Sequence, residues 1–124
     1  MLSSSKVFSF CYLERLHSPT DFNRVLKTGK KIKTAFVIIC VLERKDNNEI
    51  RRMGLVTSRK VGNAVLRNSA KRKLREIFRT NKHRLTPGLD IVFILKPQIS
   101  SIGYSKLKSV ILGCLESAGF YNNI

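Results

Sequence analysis

Acidic residues are scarce in this chain: eight Asp and Glu stand against 24 Lys and Arg in 124 residues, a formal charge of +16. They fall at positions 14, 21, 43, 46, 49, 76, 90 and 116, with no close pair in a segment that would form a pocket. A two-metal hydrolase needs several converging carboxylates, so protein-borne nuclease chemistry is not expected and no catalytic residue is assigned. The two histidines, His17 and His83, have no suitable acid or nucleophile nearby. Cys11, Cys40 and Cys114 are odd in number and far apart, which fits neither paired disulfides nor a zinc cluster. A reducing, cytoplasmic compartment and no protein-held metal are the expectation. No apolar run approaches the roughly 20 residues that span a bilayer, so no membrane partner is expected. Val7 to Leu13 runs into Glu14 and Arg15 without a small-residue cleavage site, and residues 1–14 read as an N-terminal extension.

What the chain has in excess is positive charge, in an otherwise ordinary globular composition with 43% hydrophobic residues. One domain, residues 15–124, with a single modest core is expected. A surface this basic repels itself unless an anionic partner supplies counter-charge, and nucleic acid is the usual one. No repeat, low-complexity segment or linker is present, and nothing points to a small-molecule substrate.

The first helix is announced by Ser18 as N-cap, Pro19 in the first turn and Asp21 at the capping-box position. Phe22, Val25 and Leu26 give it an apolar stripe, and Gly29 ends it. Ala35 to Leu42 is a β-rich run. Phe36, Ile38, Cys40 and Leu42 share one face, and Val37, Ile39 and Val41 the other, so both faces are apolar. Lys45 to Glu49 reads as a hairpin loop leading to a strand at Arg51–Arg59. Helical periodicity covers residues 63–80, with Leu66, Ala70, Leu74 and Ile77 toward the core. Thr86-Pro87-Gly88 breaks the chain before a strand at Leu89–Leu95. Tyr104, Leu107, Ile111, Cys114, Leu115 and Ala118 trace a C-terminal helix. The order implies an α+β sandwich of helices on a mostly antiparallel sheet.

Projecting residues 66–79 at 100° each places Asn68, Arg72, Arg75 and Arg79 opposite the apolar stripe, Lys71 on the shoulder, and Arg67 and Lys73 beside it. Residues 51–84 hold twelve Lys or Arg and one acid, Glu76. A solvated helix face mixes signs, because like charges at i, i+4 repel. Lys71–Arg75 and Arg75–Arg79 are both like-charge pairs at that spacing, so the face is better explained by a polyanion.

The stretch SRKVGNAVLRNSAKRKLRE, Ser58 to Glu76, closely resembles the signature of the bacterial ribonuclease P protein family. The likeness extends to Asp21-Phe22, Phe36-Val37, MGLVTSRK before the signature, and the strand ending in Lys96-Pro97, covering roughly residues 15–121. The resemblance implies a two-layer αβββαβα sandwich with a left-handed βαβ crossover (ribosomal protein S5 domain 2-like), where general rules favour a right-handed one. It also implies a third strand at Lys30–Thr34. It implies a protein subunit that binds the catalytic ribonuclease P RNA and the 5′ leader of precursor tRNA, with Mg²⁺ held mainly by RNA and cutting done by the RNA. By position, Arg59, Lys60, Asn63, Arg67, Asn68, Lys71, Arg72 and Arg75 would meet RNA. A leader groove between the first helix and the sheet would use Phe22, Val37 and Ile39, with Arg67 and Asn68 at its edge. Ser69 stands where the family commonly has Arg, which implies one missing phosphate or RNA contact, and Leu26 and Ile39 depart from a common aromatic and a frequent Tyr, which implies a weaker or more van der Waals-based leader contact. The other class open to so basic a chain is a small ribosomal or DNA-binding protein without a processing role.

Overall fold

The computed structural model describes residues 12–122, with Tyr12 as backbone only. Most of the N-terminal extension, residues 1–11, lies outside the described residues. Its end does not hang free: Tyr12–Glu14 forms a single 3-10 turn, and Glu14 accepts a 2.6 Å hydrogen bond from the buried Lys82 ammonium. No helix among the described residues is long and apolar enough to cross a membrane.

Helix α1 covers Pro19–Thr28 and is capped by Ser18, whose hydroxyl accepts from the Thr20 N–H at 3.1 Å. Asp21 is not a capping-box partner. Its carboxylate takes Arg24 at 3.0 Å and Arg52 at 3.4 Å, tying the helix to the sheet. Strands β1 (Lys30–Lys33), β2 (Val37–Glu43), β3 (Arg52–Val56) and β4 (Leu89–Leu95) form one sheet in the order β1-β2-β4-β3. β1/β2 and β2/β4 are antiparallel. β3 runs parallel to β4, so α2 (Ala64–Asn81) is the crossover between them. α3 (Tyr104–Ser117) ends the fold, and the element order is the expected αβββαβα.

The Lys45–Glu49 loop is not a hairpin turn, because β4 lies between β2 and β3. It spans that width, braced by Arg44, whose guanidinium donates to the carbonyls of Asn48 at 3.0 Å and Ile50 at 2.6 Å.

Side chains alternate across the strands, and each face of the sheet has its own core. Val37, Ile39, Val41, Met53, Ile91 and Phe93 face α2 and α3, packing with Ala70, Leu74, Ile77, Leu107, Ile111 and Leu115. On the other face Cys40 and Val92 pack with Val25 of α1, and Phe22, Leu26, Ile38, Leu42, Val56 and Ile94 are half-buried around them. Burial pushes the Cys40 thiol pKa up, against the pull of nearby Lys31, and leaves it a small apolar filler.

Candidate nucleic-acid interface

Three pieces of local structure build the cationic surface. Val56 leads through Thr57 to Ser58, which caps a 3-10 turn at Arg59–Val61 by accepting from the Lys60 N–H. Gly62 follows at φ +138°, where side chains other than glycine's are strained. A methyl there would also lie 2.6 Å from Leu66 Cδ1. Asn63 then caps α2, its side-chain oxygen accepting from the Leu66 N–H at 3.0 Å. The Gly-Asn pair thus turns the chain sharply and starts the helix. Arg67 braces the same turn by donating from Nη1 to the Gly62 carbonyl at 2.6 Å. Gly62→Ala is expected to lower unfolding free energy by about 1–3 kcal/mol in a denaturant titration. Gly113→Ala, on α3 where an added methyl meets nothing within 4 Å, is expected to be neutral or stabilising by up to about 1 kcal/mol.

Leu66, which the helical period places in the core, is 40% exposed. Its side chain folds back over Gly62 instead of entering the sheet. Val65 beside it is 75% exposed. From Ala70 onward the helix does bury its apolar stripe.

On the opposite side, Arg59, Lys60, Asn63, Asn68, Arg72 and Arg75 are exposed and Arg67 and Lys71 half-buried. Among the described residues Arg59, Lys60, Lys71, Arg72 and Arg75 form no ion pair. Besides Arg67, two more cations of this helix are engaged. Arg79, expected to extend the rail, is held by Glu76 one turn back; that hydrogen bond, with the partner's charge, lowers the Glu76 pKa and raises that of Arg79. Lys73 donates to the Ile102 carbonyl at 2.9 Å. The open rail is Lys71, Arg72 and Arg75, entered through Arg59 and Lys60.

A cleft of about 200 Å³ at β3 joins that rail to α1, lined by Phe22 and Leu16 on one side and by Lys71 and Arg75 on the other. Phe22 fits there because β3 has Gly54 beneath it: a Cβ on Gly54 would stand 2.5 Å from the ring. Arg67 and Asn68 do not line this cleft.

Val37 and Ile39 do not belong to a groove. Both are 0% exposed, inside the core under α2 and α3. The face toward α1 has the other parity. Lys33, Ile38, Ile94 and Val56 stand in one register row across all four strands, and its three apolar members are only half-buried. The next row, Cys40 and Val92, is fully covered. The half-open row lies at the end of the sheet where Val56 runs into the Arg59–Val61 turn, beside its cations. Ile39 is therefore no groove position, and its departure from a family Tyr does not bear on a groove.

Five of the eight carboxylates are committed to ion pairs. Asp21, Asp46, Asp90, Glu14 and Glu76 are each engaged by Arg or Lys, and no cluster of three His, Cys, Asp or Glu side chains occurs among the described residues.

The family model described as Ribonuclease P matches residues 10–119. The Ribonuclease P protein component of Petrotoga mobilis is 43% identical over 104 residues, covering 80% of this chain and 86% of that protein. The one from Thermotoga maritima is 41% identical over 92 residues, covering 74% and 77%. Among solved structures, the Staphylococcus aureus RNase P protein superposes with a TM-score of 0.78 at 28% identity, covering 88% of this chain and 98% of that one. The Thermotoga maritima RNase P protein gives 0.72 at 31% identity, covering 84% and 96%. With the signature folded as a capped, cation-bearing helix, these likenesses make the chain a member of the ribonuclease P protein family, the protein component of the endoribonuclease that matures tRNA 5′ ends.

Proposed function

We propose that this protein binds the catalytic ribonuclease P RNA and precursor tRNA in the cytoplasm, positioning them for leader removal by an RNA-borne, Mg²⁺-dependent reaction. The single observation that carries the reading is the row of Lys71, Arg72 and Arg75, unpaired among the described residues and joined by one cleft to Phe22. Cations repelling one another along a helix are stabilised by a polyanion that replaces the missing acids. The Arg59–Val61 turn and the rail take phosphates, while Asn63 and Arg67 work mainly by holding the turn in shape. Reducing repulsion between the two RNAs is how the protein would lower the Mg²⁺ concentration that the RNA requires. The protein itself holds no Mg²⁺ in this reading.

The leader takes the half-open row of Ile38, Ile94 and Val56, with Phe22 beside it and Lys33 at its edge. An apolar strip next to cations suits single-stranded RNA, whose bases need surface and whose phosphates need charge. With Phe22→Ala, affinity for precursor tRNA is expected to fall about tenfold, and with Ile38→Ala a few-fold, while mature tRNA binding holds. Val37→Ala is expected to lower the melting temperature without a leader-specific effect. Equal losses on precursor and mature tRNA would remove the leader assignment.

A further inference from the structure

At the end of α2 remote from the signature turn, an open pocket of about 630 Å³ is walled by segments distant in sequence. Arg51 comes from the approach to β3, His83 and Arg84 from the 3-10 turn after α2, and Phe120 and Tyr121 from the tail after α3. The walls are stitched together. Leu85 bridges Tyr121, the Thr86 N–H donates to the Phe120 carbonyl at 2.9 Å, and the Asn122 N–H donates to the Arg84 carbonyl at 2.9 Å. Arg51 is aimed by its Nε, which donates to the Leu85 carbonyl at 2.8 Å. Its two Nη groups make no hydrogen bond among the described residues. Arg84 is exposed and forms no ion pair among them.

The cations are close enough to act on one another. Burial first, then the charges of Arg84 and Arg51, hold the His83 imidazole below its usual range. Burial likewise lowers Arg51, which Glu49 and Glu14 partly offset; Glu14 is itself held by Lys82. This is not the end of the signature rail. Arg79, between Arg75 and the pocket, is neutralised by Glu76, and the last six residues of α2, about 9 Å of helix rise, lie between Arg75 and the helix end at Asn81.

Guanidinium forks match phosphate oxygens in pairs, and a protonated imidazole adds a third donor. The half-buried Phe120 ring offers an apolar surface beside them. We propose that this pocket is a second, independent binding site for a ribonucleotide, with Arg51 and Arg84 holding the phosphate and Phe120 the nucleoside. The nucleotide comes either from an RNA chain or from the free pool.

The test follows the His83 ring by NMR in the full chain, titrated with adenosine 5′-monophosphate and, separately, with a five-nucleotide RNA. The RNA arm uses the Lys71→Ala/Arg72→Ala/Arg75→Ala background, so that the rail does not compete. A bound phosphate favours the protonated ring, so the His83 pKa is expected to rise as the site saturates. Arg84→Gln, at an exposed position, is expected to weaken binding about tenfold, and the triple rail variant to leave the mononucleotide affinity unchanged. A pentanucleotide at least tenfold tighter assigns the site to an RNA chain; equal or weaker binding assigns it to free nucleotide. A His83 signal that neither probe moves, or an Arg84→Gln variant that binds as tightly as the parent, overturns the proposal. The signature surface and the function proposed for it would be untouched by that failure.

Discussion

Asp90→Ala is expected to destabilise the fold by about 3–5 kcal/mol, the usual result of removing one partner from a buried ion pair. The melting temperature should fall by roughly 10–25 °C. The Asp90 carboxylate is buried at the start of β4 and receives Arg44 Nη1 at 2.6 Å, Arg52 Nε at 2.8 Å and Arg52 Nη2 at 2.7 Å. The hydrogen bond from Arg52 raises that guanidinium's pKa further, above its usual value, and outweighs the burial that opposes it. Arg44 braces the long loop and Arg52 reaches Asp21 of α1, so one carboxylate anchors the loop, the sheet and the first helix. Without it, two guanidiniums sit in low dielectric with their principal counter-charge gone. Asp90→Asn keeps an acceptor and should lose less. A thermal or urea unfolding series on the three proteins measures the effect; a loss below about 1 kcal/mol for Asp90→Ala would show that the surrounding carbonyls alone satisfy both arginines.

Replacing Lys71, Arg72 and Arg75 together by Ala is expected to leave the melting temperature within a few degrees of the parent, because their side chains lie outside the core. Affinity for ribonuclease P RNA should fall on the order of 100-fold near 0.1 M salt, and the slope of log K against log[salt] should flatten by roughly 2–3. Each neutralised phosphate contributes about 0.7–0.9 to that slope, so the change measures how many phosphates the three side chains hold. Filter-binding or fluorescence titrations at four or five salt concentrations give both quantities. An unchanged slope would place RNA on another surface.

How much of this is legible in the sequence depends on whether a signal is local. The second helix announces itself over 63–80 through its 3.6-residue period, and the structure places it at Ala64–Asn81 with Asn63 as its cap. The strand at Leu89–Leu95 is readable at its full extent, because a short apolar run between a turn and a proline has few other readings. β1 carries a single apolar residue, Ile32, among three lysines, so only the family resemblance points to it. The parity of β2 is open for a different reason. Both of its faces are apolar, and which one meets two helices and which meets one is decided by segments far along the chain. Assigning Val37 and Ile39 to the groove is thus a slip of one residue, which in a strand exchanges the faces entirely. The Asp90 node joins residues 38 and 46 positions apart and leaves no periodic trace. The Glu76–Arg79 pair, by contrast, stands in view at i, i+3, and it shortens the rail by one turn.

Cleavage of precursor tRNA by a bacterial ribonuclease P RNA, measured across Mg²⁺ concentrations with RNA alone, protein alone and both together, tests the central claim most directly. The account predicts no product from the protein alone and a midpoint shifted to lower Mg²⁺ when the protein joins the RNA, with the shift lost in the Lys71/Arg72/Arg75 variant. Leader removal by the isolated protein, or superimposable Mg²⁺ curves with and without it, would contradict it.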